Sequence, residues 1–332
     1  MDKRLLGPQK VEVSAIGLGC MAMSGLYGPS SDEESIATIR AGFDAGITLF
    51  DTGDFYGMGH NEMLIREALK NMGRDRVLIS VKFGALRDPA GNWNGNDCRP
   101  QAMKNFLAYS LKRLGVDYVD IYRPARLDRA VPVEETIGAI GEMVKAGYVR
   151  YIGLSEVGVG TIHRAAAAHP ICDLQIEYSL FSRGIESRIL PACRELGIGI
   201  TAYGVLSRGL ISNRSHRQRA ASSDLRARYP RFTSPNLEKN LALVEALGAV
   251  AHEKGVSVSQ LAIAWVATQG KDIVPLIGAR KREDLSDALN ACDMALTHED
   301  LVRIEAAVPL GASAGERYAP PMLKELDSER DG

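Results

Sequence analysis

The sequence predicts an α/β fold, a single-domain (β/α)8 TIM barrel, and two patterns support this prediction. Short apolar segments recur along the chain, and segments with helical periodicity separate them. Fully buried parallel strands have nearly continuous apolar sequences, and eight of them alternating with helices fit a closed barrel. A chain of 332 residues is long enough for one such barrel.

Eight segments match the buried-strand pattern. The predicted strands are Ala15–Leu18, Ile47–Phe50, Val77–Val81, Tyr118–Tyr122, Tyr151–Leu154, Asp173–Ile176, Ile198–Ala202 and Ile273–Leu276. Helix signals are clearest after the first strand, where Ser31 and Glu34 form a capping-box pattern. Ile36, Ile39 and Phe43 then share one helical face, as a helix packed against a barrel requires.

Three segments lie outside this alternation, within a single barrel that we predict over residues 1–332. Residues 3–13 are predicted to form an N-terminal hairpin that closes the barrel bottom. Residues 213–236 are rich in Ser, Arg and Pro, and we predict an inserted loop there, before a helix over Leu237–Lys254. Residues 310–332 are predicted to be a C-terminal tail along the outside of the barrel.

The composition excludes several classes of function. Lys and Arg total 40 against 41 Asp and Glu, which argues against a nucleic-acid binder that relies on overall positive charge. The five cysteines are dispersed without a C-x-x-C pair, so we expect reduced thiols and no structural metal. The N-terminus has no apolar signal-peptide core, and no apolar run could span a membrane. We therefore predict a cytoplasmic protein without membrane or nucleic-acid partners.

A glycine motif follows the first predicted strand, where Gly17–Ala22 spells G-x-G-x-x-A. In a Rossmann fold a helix begins at once after this motif, so that its N-terminus meets the pyrophosphate. Here Gly25, Gly28 and Pro29 follow, which favours a loop. We interpret the motif as a tight turn that leaves the first strand.

Three polar residues are predicted to meet at the C-terminal ends of adjacent strands, which is the catalytic face of a barrel. Asp51 ends the second strand, Tyr56 follows it by five residues, and Lys82 ends the third strand. Burying Lys82 without a carboxylate would be costly, so Asp51 is its expected partner. A nearby ammonium stabilises phenolate, which would make Tyr56 a better general acid.

With these residues in place, the chain resembles the aldo-keto reductase superfamily, in its longer-chain bacterial-type branch, from about Gly17 to Glu305. The resemblance is carried by GLGCMAMSGLYG, FDTGDFYGMGHNE, VLISVKFG, LKRLGVDYVDIY, IGLSEV, QIEYSLFSR, TAYGVLSRGL and IVPLIGARKREDL. It implies a (β/α)8 barrel that binds NADP(H) without a Rossmann fold and reversibly reduces a carbonyl to an alcohol. It also implies that Tyr56 is the proton donor, supported by Lys82 and Asp51.

The sequence departs from this family at the end of the fourth strand. The family usually has a His there, in a pattern like YxQHRxD, and this chain has Ala125. Alanine can neither donate a hydrogen bond to a carbonyl oxygen nor relay a proton. Arg126 matches an Arg that the family often has beside the His, and we predict that it is a salt-bridged strand-end residue. His60 lies near Tyr56 in sequence and is a candidate to replace the missing His. This is the weaker interpretation, because His60 occupies a loop position.

The resemblance also implies where the nicotinamide and pyrophosphate of the cofactor bind. Ser155 and Gln175 match the pair that hydrogen-bonds the carboxamide, and Glu156 stands where many members have Asn. Tyr203 matches the aromatic residue on which the nicotinamide ring stacks. The residues that match the pyrophosphate loop are Gly204, Leu206, Ser207, Arg208 and Gly209. The inserted loop over residues 213–236 would then lie on the cofactor side.

Clustered cations after the last strand predict an anion site at a helix start. Arg280 and Lys281 fit the 2′-phosphate of NADP, so we predict NADPH rather than NADH as the cofactor. Gly278 and Asp284 flank them and are included in the predicted cofactor site.

The substrate pocket is predicted to be lined by Tyr27 and Trp93, with Ala125 widening it beside the reacting carbon. The small-molecule carbonyl substrate would then favour bulky cyclic ketones. The absence of a basic cluster in these loops argues against an anionic sugar phosphate.

Two other functions stay open. Some barrels of this superfamily serve as regulatory subunits, and Ala125 favours a cofactor-binding sensor with little turnover. An unrelated aldolase or isomerase with Lys82 as a Schiff-base lysine would leave the cofactor matches unexplained.

Overall fold

A computed structural model describes residues 1–212 and 225–330 of the chain. Its strands are β1 (Lys3–Leu6), β2 (Val11–Ser14), β3 (Gly17–Gly19), β4 (Leu49–Gly53), β5 (Leu78–Phe83), β6 (Ala85–Arg87), β7 (Trp93–Asn96), β8 (Val119–Pro124), β9 (Val149–Ser155), β10 (Ile171–Glu177), β11 (Gly199–Tyr203) and β12 (Ile273–Gly278). Eight of these strands close into a parallel barrel in the order β3-β4-β5-β8-β9-β10-β11-β12. The predicted (β/α)8 barrel is confirmed, and each barrel strand overlaps one predicted segment.

The helices lie outside the barrel and pack against it through their apolar faces. They are α1 (Asp32–Asp44), α2 (His60–Leu69), α3 (Pro100–Leu114), α4 (Val133–Lys145), α5 (Val159–Ala168), α6 (Ile189–Glu195), α7 (Asn236–Glu253), α8 (Val258–Thr268), α9 (Arg282–Leu289), α10 (His298–Ala307) and α11 (Pro320–Leu323). In α1, the Ser31 side chain accepts a hydrogen bond from the Glu34 backbone, and Ile39 is buried. The helix therefore begins where the capping pattern predicted.

The β1–β2 hairpin closes the N-terminal end of the barrel. Its Leu6, Val11 and Val13 pack with residues at the starts of barrel strands, including Leu49 and Val274. The interior at this end is therefore filled by side chains, which leaves the opposite end for chemistry.

The glycine motif does not begin a helix: both of its glycines lie in β3, and only its last residues turn away from the strand. A short 3-10 turn over Met21–Ser24 follows β3, and the first α-helix begins only at Asp32. A Cβ on Gly17 would lie 2.7 Å from Cδ2 of Leu276 and 3.1 Å from Cδ2 of Leu49, so a larger residue would need these leucine side chains to shift.

Residues 213–224 of the predicted insertion lie outside the described residues. The rest of the insertion forms 3-10 turns over Leu225–Arg228 and Pro230–Phe232 before α7. We predicted that the C-terminal tail runs along the outside of the barrel. Part of it lies at the barrel mouth instead, because Arg317 and Tyr318 are buried against residues there. Within the described part of the chain, no helix combines the length and apolarity that crossing a membrane requires.

Candidate active site

Asp51 and Lys82 form a buried ion pair at the C-terminal end of the barrel. They lie on the neighbouring strands β4 and β5, and both side chains are almost completely enclosed. The Lys82 ammonium donates to Oδ1 of Asp51, while Oδ2 accepts from the Ser80 hydroxyl at 2.8 Å and the Gln175 amide at 2.7 Å. Burial lowers the pKa of Lys82, Asp51 opposes this effect, and Arg123 reinforces it.

Tyr56 lies beside this pair, in the turn that follows β4. The Lys82 nitrogen is 5.1 Å from the centre of the Tyr56 ring. Burial raises the pKa of Tyr56 well above its ordinary value, Asp51 raises it further, and Arg126 opposes both. Burial and Asp51 therefore oppose the proton release that we predict Lys82 to ease.

A second buried ion pair, Arg123 with Asp173, lies inside the barrel next to Asp51. One terminal nitrogen of Arg123 donates to both Asp173 oxygens at 2.9 Å, and the other lies 3.9 Å from Asp51. Thr201 also donates to Asp173. We did not predict this pair, although a charged residue inside each of two apolar strands was a visible signal.

Ala125 follows β8 directly and is buried. Its backbone N–H donates to the Phe83 carbonyl at 2.8 Å, and its methyl group supplies no donor to the site. His60 does not replace the missing imidazole, because its ring contacts Ser24 and Asp32, each at 3.1 Å.

The predicted salt bridge of Arg126 is wrong. The side chain is half-buried, and it donates to the Ala125 carbonyl at 2.6 Å and to the Tyr318 hydroxyl at 3.4 Å. Among the carboxylates of the described residues, none lies within salt-bridge distance of Arg126.

Trp93 lies on the β6–β7 hairpin, directly opposite Arg87. The Arg87 guanidinium stacks 5.2 Å from the Trp93 ring and 5.6 Å from the Phe55 ring. Phe55 in turn contacts Tyr56 edge to face, with ring centres 4.7 Å apart. The hairpin therefore places Trp93 and Arg87 next to the Tyr56 turn, and Arg87 was absent from our predicted site.

Tyr27 lies in the loop after β3, on the other flank of the mouth. Its carbonyl accepts from Arg280 at 2.9 Å, and the Arg226 guanidinium lies 5.3 Å from its ring. Burial raises the pKa of the Tyr27 phenol to about 12.

The residues predicted to meet the nicotinamide lie at the ends of β9, β10 and β11. Ser155 and Gln175 are direct neighbours in the strand register. The Tyr203 hydroxyl donates to Glu156 at 2.6 Å and lies 2.8 Å from the Tyr318 hydroxyl. These predicted residues are therefore brought together, and the tail joins them.

Glu156 binds the tail. Arg317 donates to both Glu156 oxygens, at 2.9 and 2.6 Å, and Ser328 donates to one of them at 2.7 Å. Burial alone would raise the pKa of Glu156, but the Arg317 guanidinium outweighs it and holds the pKa well below its usual range. Because Arg317 is 161 residues away in sequence, no local pattern could have predicted the pair.

The predicted pyrophosphate loop follows β11 as a tight, left-handed turn. Gly204, Ser207, Arg208 and Gly209 all have positive φ, and Leu206 precedes the 3-10 turn Ser207–Gly209. The Arg208 guanidinium donates to Glu177 at 2.9 Å.

At the other end of the predicted cofactor site, Gly278 ends β12 and is exposed. Lys281 is the exposed residue that precedes α9, and Asp284 lies in the first turn of that helix. Arg280 reaches back to the loop that carries Tyr27. The two predicted 2′-phosphate cations are therefore adjacent at a helix start.

A closed parallel barrel with polar side chains gathered at the C-terminal strand ends is the architecture of a barrel enzyme. Comparison with known proteins narrows this class. The Aldo/keto reductase family matches residues 15–309. A similar protein is "Probable aldo-keto reductase 1" from Glycine max, 42% identical over 316 residues, which cover 94% of this chain and 90% of that protein.

Two solved structures of aldo-keto reductase type are also similar to this chain. The glycerol dehydrogenase AKR11B4 from Gluconobacter oxydans is 28% identical with a TM-score of 0.85, covering 96% of this chain and 98% of that one. The thermostable aldo-keto reductase Tm1743, in complex with the inhibitor epalrestat, is 26% identical with a TM-score of 0.72. That similarity covers 92% of this chain and 100% of the other.

The chain belongs to the aldo/keto reductase family. It is therefore an oxidoreductase that acts on the carbonyl groups of small molecules and uses a nicotinamide cofactor. The resemblance that we inferred from the sequence motifs is confirmed.

Proposed function

We propose that the protein reduces a ketone or aldehyde with NADPH and that Tyr56 is the proton donor. The observation that carries this proposal is the buried Lys82–Asp51 ion pair beside the Tyr56 ring. A buried lysine with its carboxylate satisfied by two further donors is a costly arrangement, and such groups are concentrated at functional sites.

The residues present fit an NADP cofactor. Ser155 and Gln175 are neighbours in the strand register, and the Gln175 amide nitrogen donates to Asp51. The Ser155 hydroxyl and the Gln175 carbonyl oxygen are the donor and acceptor that would match a carboxamide. Arg280 and Lys281 supply positive charge at the start of α9 for a 2′-phosphate. The bound cofactor supplies the hydride that reduces the carbonyl carbon.

The chain's own residues position the reacting groups and protonate the carbonyl oxygen of the substrate. Tyr56, held in its protonated form, donates its hydroxyl proton to the carbonyl oxygen as negative charge develops there. Lys82 is fixed by Asp51, so its charge needs no reorganisation when the phenol ionises. Near-complete burial of all three groups excludes water and strengthens these interactions.

Ala125 has only a methyl group at the position where the family usually has an imidazole. We propose that the site therefore accepts bulky cyclic ketones better than small aldehydes. Loss of one oxyanion donor costs about 2.7–4 kcal/mol, so turnover of small aldehydes should be slow. Ala125→His should leave small aldehydes unchanged or better and should harm bulky ketones; equal gains for both would refute the space argument.

The experiment that tests the function is NADPH consumption with a panel of aldehydes and cyclic ketones, together with NADPH binding by fluorescence titration. Turnover of at least one ketone with tight NADPH binding supports the proposal. The second candidate, a cofactor-binding regulatory subunit, is favoured only by Ala125. Tight NADPH binding with no oxidation by any carbonyl would select it.

A further inference from the structure

Four buried side chains of alternating charge lie next to one another inside the barrel. In spatial order they are Lys82 on β5, Asp51 on β4, Arg123 on β8 and Asp173 on β10. Lys82 pairs with Asp51, a terminal nitrogen of Arg123 lies 3.9 Å from Asp51, and Arg123 also lies 2.9 Å from Asp173. Each of the four side chains is at most 6% exposed. The proposed proton transfer uses only the first pair, so the second pair has no assigned role.

Arg123 is held by one end of its guanidinium group. One terminal nitrogen donates to both oxygens of Asp173, while the other terminal nitrogen and Nε have no hydrogen-bond partner among the described residues. A guanidinium often binds a carboxylate through two nitrogens, and buried N–H groups are normally satisfied. Among the described residues, only Asp173 and Asp51 have a carboxylate within salt-bridge distance of Arg123. Asp173 therefore holds Arg123 back from Asp51, and the nitrogen on the Asp51 side keeps its donors unused.

The strand between Arg123 and Asp173 leaves room for this pair. β9 lies between β8 and β10, and its Gly153 is in register with Asp173. A Cβ on Gly153 would lie 2.6 Å from Oδ1 of Asp173 and 2.7 Å from Nε of Arg123, so a larger residue would need the pair to shift. The Thr201 hydroxyl on β11 donates to Asp173 as well. The backbone and its neighbours therefore fix where the Arg123 charge lies.

The position of Arg123 bears on the charge of Lys82, because both cations approach the same carboxylate. Lys82 binds Oδ1 of Asp51, and Arg123 faces Oδ2, which already accepts from two neutral side chains. An arginine that bound Asp51 fully would weaken the hold of that carboxylate on Lys82. Arg123 already contributes to the lowered pKa of Lys82, and the Asp173 carboxylate acts in the opposite direction.

We propose that Arg123 and Asp173 are positioning residues for the proton transfer: Asp173 holds Arg123 away from Asp51, so that Asp51 stays with Lys82 and the ammonium stays beside Tyr56. This inference rests on the proposed function, because it assigns how the charged neighbour of the proton donor is held. Removing the Asp173 charge alone would release Arg123 towards Asp51. Removing both charges would leave Asp51 to Lys82 alone. The two changes should therefore act on Lys82 in opposite directions, whereas general damage to the barrel would not.

The test measures the pKa of Lys82 by carbon-13 NMR of protein labelled at lysine Cε, with the Lys82 signal assigned by its absence in Lys82→Met. Asp173→Asn should lower this pKa by about one pH unit, because the uncompensated Arg123 charge turns to Asp51. Arg123→Met combined with Asp173→Asn should raise it by about one pH unit, because neither charge remains. The double variant removes the two charges together, so it leaves no buried ion without a partner.

The matched control is Asp120→Asn, which removes a buried carboxylate from β8, the strand that carries Arg123. Asp120 is paired with Arg74 and Arg150 rather than with the four alternating charges. Asp120→Asn should therefore disturb a buried ion pair of the barrel and leave the pKa of Lys82 unchanged. The other ionisable groups that act on Lys82 are the same in every variant, and these are Tyr56, Cys20 and Arg126.

The pH profile of kcat for ketone reduction connects these shifts to the reaction. The rate should fall at high pH as Tyr56 and Lys82 lose a proton, and this limb should move in each variant in the same direction as the pKa of Lys82. A limb that stays in place while the pKa moves would overturn the role in proton transfer.

The NMR measurement needs no turnover, so it separates this inference from the proposed function. Shifts of the Lys82 pKa in one direction in both variants, no shift in either, or an equal shift in Asp120→Asn would overturn the inference and leave the proposed reduction standing. If the shifts are opposite but the wild type oxidises NADPH with no carbonyl, the hold of Arg123 and Asp173 on Lys82 stands and the proposed reduction fails.

Discussion

The two sides of the barrel mouth handle charge in opposite ways. On the paired side, at the ends of β9 and β10, Glu156 and Glu177 are fully enclosed and each is bound by an arginine. On the open side, around Tyr56, Lys82 is paired with Asp51. Among the described residues, no ion pair on this side includes Asp54, Arg87 or Arg126. Neither oxygen of the buried Asp54 accepts a hydrogen bond of normal geometry within the described residues.

The two sides of the barrel mouth therefore contribute differently to the stability of the folded protein. Paired charges deep in a protein hold segments together, and here they fasten the tail to the mouth. Asp54, which has no such partner, instead has a raised pKa and lowers stability where it ionises. The open side also contains Tyr56 and Lys82, which is consistent with the reaction occurring there.

The variant with the largest expected effect on stability removes a carboxylate from the ion pairs of the paired side. Glu177→Gln would remove the carboxylate that faces Arg208, Arg231 and Arg317, leaving three cations together. We expect the free energy of unfolding to fall by about 3–5 kcal/mol. Arg87→Gln, on the open side, should change it by less than about 1 kcal/mol, because Arg87 has one long hydrogen bond among the described residues and burial disfavours its charge. Urea denaturation of both variants at neutral pH checks the contrast, and equal losses would contradict it.

A second prediction concerns the pH dependence of stability on the open side. Burial, with the nearby Glu62 carboxylate, raises the pKa of Asp54 to about 7. The folded protein therefore retains this proton at pH values where the unfolded chain has lost it, so Asp54 lowers stability progressively as pH rises from about 4 to 7. Asp54→Asn should be more stable than the wild type by on the order of 4 kcal/mol at pH 8, with almost no difference at pH 4.

Thermal or urea unfolding across this pH range measures the effect. Asp75→Asn is the control, because Asp75 is exposed and should show no such trend. A gain from Asp54→Asn that is the same at pH 4 and pH 8 would mean that charge is not its cause.

A smaller effect, on the preference for NADPH over NADH, is expected from changes at the adenosine end of the predicted cofactor site. Arg280→Ala combined with Lys281→Ala should narrow the preference for NADPH over NADH by about tenfold or more, because charge-assisted hydrogen bonds to the 2′-phosphate are lost. Arg282→Ala should change the preference less, since Arg282 is already bound by Glu34. The dissociation constants of both cofactors provide the measurement, and equal constants in the wild type would refute the 2′-phosphate role.

The sequence predicted the parts of the molecule whose signals are local. The barrel strands were recognisable because both faces of each are buried, which makes their sequences apolar. Asp51, Tyr56 and Lys82 were recognisable because adjacent strands end near them in chain order. Arg317 could not be predicted as a partner of Glu156, because only the folded tail brings the two together.

Arg87 and Arg126 show a different limit. Both were visible in the sequence, and Arg126 was assigned a salt bridge that does not exist. Whether a strand-end arginine has a carboxylate partner depends on side chains from several loops, which the order of residues does not specify. The open side was therefore apparent only from the folded protein.

The measurement that most directly tests the central claim is the single-turnover rate of hydride transfer in Tyr56→Phe. The variant lacks only the phenol hydroxyl, so the ring contact with Phe55 and the fold should persist. We expect the rate of ketone reduction to fall by about 10²–10⁴-fold, while the dissociation constant for NADPH stays within about twofold of the wild type. A variant that binds NADPH normally and retains more than about half of the wild-type rate would contradict Tyr56 as the proton donor.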